Sequence, residues 1–60
     1  MNAYALLATY YRMQAHAYNA YADHFAAMNN TEMTEFYRHM AQEYFGHASE
    51  TEEGMLEDAA

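Results

Sequence analysis

Six residue types are absent from this 60-residue chain: Val, Ile, Pro, Lys, Cys and Trp. Losing Val and Ile removes the best aliphatic strand formers, while Ala, Met, Leu, Glu and Gln supply helix propensity, so the expected fold class is all-α. Without Cys there is no disulfide and no thiolate metal site, which fits a reducing compartment. Lys is missing and only two Arg are present against nine acids, so direct phosphate binding is disfavoured. No apolar run approaches the roughly 18 residues of a membrane span, and the first ten residues lack the basic start of a signal peptide. A cytoplasmic protein is the expectation.

What remains is an alphabet of Tyr, Phe, Met and Ala for the core, in which the tyrosine hydroxyls need partners or water. Sixty residues make one domain that buries only about 60% of the surface its unfolded chain exposes, so a lone monomer is marginal. Oligomerisation or partner binding is the remaining way to add core.

One stretch has a regular seam. Tyr4, Leu7, Tyr11, Gln14, Tyr18, Tyr21, Phe25 and Met28 follow at gaps of three and four residues, the spacing of a helix packed along a partner helix. This predicts a first helix over about 4–28, with Thr9, Arg12, His16, Asn19 and Asp23 on the opposite face and Ala15, Ala22 and Ala26 beside the seam. Gln14 is the one polar seam position, placed either to set register or at the seam edge in water. Leu6, Tyr10, Met13 and Ala17 widen the apolar surface.

Asn29, Asn30 and Thr31 read as a tight turn, since Asn tolerates the left-handed conformation and Asn or Thr can cap the next helix. A box between Asn29 and Glu32 is one form of that cap. The second helix is expected over about 32–53, with Met33, Phe36, Tyr37, Met40, Ala41, Tyr44, Phe45 and Ala48 on one face, followed by an acidic tail over 54–60. Gly46 either ends that helix at Phe45, with Ser49 and Glu52 capping a short C-terminal helix, or sits inside it at about 1 kcal/mol; matching the first helix in length favours continuation. Met55 and Leu56 are candidates for folding back. The expected architecture is a helical hairpin that pairs into a dimeric, antiparallel four-helix bundle.

Charge is sharply divided. Arg12 and Asp23 balance in the first 30 residues, whereas Arg38 faces eight acids in the last 30, so the whole formal charge of −7 lies in the second half. Glu32, Glu35, Glu43, Glu50, Glu53 and Glu57 fall on one helical stripe interrupted by His39 and Gly46, with neighbouring steps on the order of 5 Å. Such a stripe either keeps a small protein in solution or imitates the phosphates of a nucleic-acid strand toward a basic surface. In size and acidity the chain resembles phage anti-defence proteins, including inhibitors of CRISPR surveillance complexes. That resemblance implies a small inhibitor that blocks a basic nucleic-acid-binding surface of a larger complex, with Tyr10 and Tyr37 as hydrophobic anchors beside the acidic stripe.

Two other readings compete. One is a dimeric helical-bundle adaptor or regulator. The other is a metal-loaded bundle, in which His39, Glu43 and His47 at four-residue steps, with His16 opposite, would supply ligands. The ladder drifts around the helix and lacks Glu-x-x-His pairs, so metals and cofactors are not expected. Nor is catalysis: there is no Cys nucleophile and no Gly-rich phosphate loop, and Ser49 has no evident base.

Overall fold

The computed structural model describes residues 2–59, with side chains for 2–54. Two helices, α1 (Ala3–Ala27) and α2 (Thr31–Ala59), lie side by side as an antiparallel hairpin. Asn2 starts α1 by accepting the Ala5 N–H at 2.8 Å, satisfying one of the free donors of the first turn. Among the described residues no helix is long and apolar enough to cross a membrane.

The turn is a complete helix stop followed by a helix start. Asn29 has φ of 58°, the left-handed conformation in which asparagine is better tolerated than most residues. Its N–H donates to the Ala26 carbonyl at 3.0 Å, and that of Asn30 to the Phe25 carbonyl at 3.0 Å, the paired bonds of a Schellman motif. Asn30 then caps α2, its side-chain oxygen accepting the Met33 N–H at 3.2 Å. The cap therefore falls on Asn30 and not on Asn29. Met33 occupies the third helical position, so the Asn29–Glu32 box does not form.

α2 passes through Gly46 and Gly54 without a break, and the segment 54–59, expected as a tail, continues the helix. Neither glycine has positive φ. A Cβ at Gly46 would meet nothing within 4 Å, and one at Gly54 only the Tyr4 ring at 3.8 Å, so ordinary helical geometry carries the chain past both. Met55 and Leu56 lie in this helical segment; their side chains, and any contact they make, are outside the described residues.

The contact line between the helices differs from the expected seam. Its buried residues are Ala8, Ala15 and Ala22 on α1 and Ala41 and Ala48 on α2, each at 0–1% exposure and each seven residues from the next on its helix. Tyr11, Gln14, Tyr18 and Phe25 are half-buried, whereas Tyr4, Leu7, Tyr21 and Met28 remain 40–60% exposed. Alanine has the smallest side chain that still favours helix, so a row of alanines lets two helix backbones come closest. The larger residues are displaced to one side of that row. A seam predicted from side-chain size sits one position off for this reason.

Displacement of the rings gives the hairpin two unlike faces. On one, aromatic rings interleave across the helices: Tyr11 with Tyr44 at 6.0 Å, Tyr18 with Tyr44 at 5.3 Å and Tyr37 at 6.0 Å, and Phe25 with Tyr37 at 5.6 Å. On the other, Arg12 pairs with Glu52, and Arg38 donates to Asp23 at 2.7 Å and Asn19 at 3.2 Å. His16 meets the Phe45 ring edge-on at 5.2 Å. Arg12, His16, Asn19 and Asp23 thus flank the contact and bridge to α2; they do not point away from it. The result is a thin ribbon of 47 × 16 × 8 Å with a radius of gyration of 14.0 Å, against about 10 Å for a compact domain of this length.

Candidate functional site

Two surfaces could recognise a partner: the outer edge of α2 and the aromatic face. Ala41 and Ala48 fix the side of α2 that meets α1, and helical spacing then places Glu32, Glu35, Glu43, Glu50 and Glu53 on the side turned away from it. All five are exposed. The Glu57 side chain lies outside the described residues.

Pairing across the hairpin leaves this edge uncompensated. Both arginines are engaged elsewhere, Arg12 by Glu52 and Arg38 by Asp23. Among the described residues the edge carboxylates pair only with histidines: Glu43 with His39 at 3.0 Å and Glu50 with His47 at 3.7 Å. Glu32, Glu35 and Glu53 form no ion pair there. At 1.5 Å per residue the run from Glu32 to Glu53 extends over roughly 32 Å.

The aromatic face is continuous with no such charge. Tyr18 lies at its middle, in ring contact with Tyr21, Tyr37 and Tyr44. Burial among these rings, with the Tyr44 hydroxyl next in importance, raises the Tyr18 pKa above the ordinary 10.0. Near the turn, Met33 and Phe36 line a shallow apolar depression rimmed by Glu32, Glu35 and His39.

The two tyrosines expected to stand exposed as anchors differ in exposure. Tyr10 stands 53% exposed at the rim against Tyr11, whereas Tyr37 is half-buried between Tyr18, Tyr21 and Phe25. Tyr21, Phe36 and Tyr44 lie on the same face as Tyr37. The seven-residue spacing of Ala8, Ala15 and Ala22 is the signal that would have located it.

The histidines are dispersed. His39 points along the acidic edge to Glu43, but His47 packs on the aromatic side against Tyr11 at 5.5 Å and Tyr44 at 5.7 Å, and His16 sits across the polar face. Among the described residues no three His, Asp or Glu side chains are grouped to hold a metal ion. The drift of a four-residue ladder around a helix with 3.6 residues per turn accounts for the split between His39 and His47.

Comparison with protein-family models, with curated proteins and with solved structures gives no match to this chain.

Proposed function

We propose that this chain is a small acidic protein-binding inhibitor that blocks a basic, nucleic-acid-binding surface of a larger protein, acting as a homodimer in a four-helix bundle. The observation that supports the inhibitory reading is the placement of the two arginines. Each neutralises an acid at the helix contact, so the outer edge of α2 keeps its carboxylates exposed with no arginine beside them. A row of like charges at helical spacing lowers helix stability by a few tenths of a kcal/mol per pair, and a basic groove relieves that repulsion on binding. Phage anti-defence proteins are the class this mode of action would join. A pairing adaptor or regulator is the second reading, supported by the size of the exposed aromatic face.

Capture from a native host lysate identifies the target, and displacement of a fluorescent oligonucleotide from the captured protein then measures the block. Replacing Glu43, Glu50 and Glu53 together by Gln is expected to preserve helix content, weaken displacement at least tenfold and flatten its dependence on salt. Full displacement by the triple variant, with unchanged salt dependence, would sink the phosphate-mimic reading and leave the adaptor.

A further inference from the structure

Among the described residues the hairpin encloses no side chain larger than alanine. Many of its larger apolar groups lie on the aromatic face, where Leu7 remains 42% exposed, Tyr21 55% and Phe36 52%, while Leu6 and Met13 point outward from α1 on the side away from α2. We infer that this face is covered by a second copy of the chain, and that the two hairpins pair with both turns at the same end, placing α1 of each copy over α2 of the other. The inference rests on the homodimer proposed above and assigns its face and polarity.

Area and charge both favour a second copy as the occupant. The hairpin measures 47 by 16 Å between Cα atoms, so its broad side projects to roughly 750 Å², of the same order as the roughly 800 Å² of surface that each partner buries in a stable interface. Between its two rims, from Tyr4 to Thr51, the face carries no Asp, Glu or Arg, Glu32 and Glu35 reaching only the rim beside Phe36, although the chain as a whole has a formal charge of −7. Two such chains repel wherever their acids meet, so they associate through the surface from which acids are missing. A basic partner gains nothing there and is drawn to the outer edge of α2.

Charge also chooses between the two ways of stacking the faces by a two-fold axis. If the axis runs across the helices, the turns lie at opposite ends and α2 rests on α2. Both acidic edges then share one side of the bundle, separated by about one helix spacing of 8–10 Å, comparable with the screening length of about 8 Å at physiological salt. If the axis runs along the helices, the turns lie together and each α2 rests on the neutral α1 of its partner. The acidic edges then occupy opposite sides of the bundle, with both layers of helices between them. Repulsion is screened out, and the dimer presents two independent acidic edges.

Since the chain has no Cys, a single Met28→Cys substitution at the rim beside the turn places one spin label per copy. Pulsed dipolar spectroscopy is expected to find the two labels within about 25 Å, the width of a four-helix bundle with labels. A separation approaching the 47 Å length of the hairpin would overturn the polarity while leaving the homodimer standing. A monomer by sedimentation, with no dipolar signal, would overturn both. Tyr21→Glu, compared with Ala20→Glu on the other side of α1, tests the face: the first is expected to weaken dimerisation at least tenfold and the second not at all. Equal dimerisation by both variants would show that the copies meet elsewhere, whatever the outcome for the acidic edge.

Discussion

The rings of Phe25 on α1 and Tyr37 on α2 stack across the helix contact, centroids 5.6 Å apart and planes 7° from parallel. Their relationship follows from the alanine row beneath them. With Ala22 fully buried, both rings are displaced to the same side and meet above the contact. The ladder continues through Tyr18 and Tyr44, whose rings are 5.3 Å apart. Offset stacks of this kind add about 0.5–1.5 kcal/mol beyond the area they bury.

The ladder has a titratable centre. Tyr18 is raised above its ordinary pKa of 10.0, so its contribution to stability is complete below that value and is lost as pH rises through the higher folded-state pKa. Thermal melts taken upward through pH 10 should show stability falling as Tyr18 ionises, with the late titration visible in tyrosinate absorbance. Tyr18→Phe should shift the decline to higher pH. An identical decline in both proteins would assign the alkaline transition to other groups.

Close approach of the helices depends on side-chain size at Ala15, which has 0% exposure. Ala15→Leu should destabilise the hairpin by about 1–3 kcal/mol through overpacking, whereas Ala20→Leu, on an exposed position, should stay within about 0.5 kcal/mol of the parent. Chemical denaturation of the two variants measures the difference. Similar midpoints would show that the helices separate easily.

Gly46 lies inside α2 with open space where a Cβ would stand. Gly46→Ala should therefore stabilise the protein by about 1 kcal/mol, raising the melting temperature and the helical signal. A lower melting temperature would indicate that an assembly partner approaches the backbone here.

The turn offers a complementary change. Asn30→Ala removes the acceptor for the Met33 N–H and should lower stability by about 1 kcal/mol, while Asn30→Asp should retain the cap. Equal losses in the two variants would place the effect outside the cap.

Zinc addition or chelation is expected to leave the melting temperature nearly unchanged, because His39 and His47 diverge to the acidic edge and the aromatic side. A dose-dependent rise abolished by His39→Ala or His47→Ala would restore the metal-loaded bundle.

Much of this architecture follows from local properties of the residues. Helix propensity and the missing aliphatic β-branched pair specify two helices, the Asn-Asn-Thr break specifies their turn, and spacing places the glutamates of α2 on one stripe. None of these needs a contact between distant residues. The tertiary structure decided where the helices touch. Pattern reading weights large apolar side chains, whereas backbone approach rewards small ones, so Ala8, Ala15 and Ala22 took the centre and Tyr21 and Met28 were left outward. It also decided what the arginines do. Along the chain Arg12 and Arg38 enter only the charge balance of each half, and only the antiparallel register brings Glu52 and Asp23 within their reach, leaving the outer edge of α2 without an arginine.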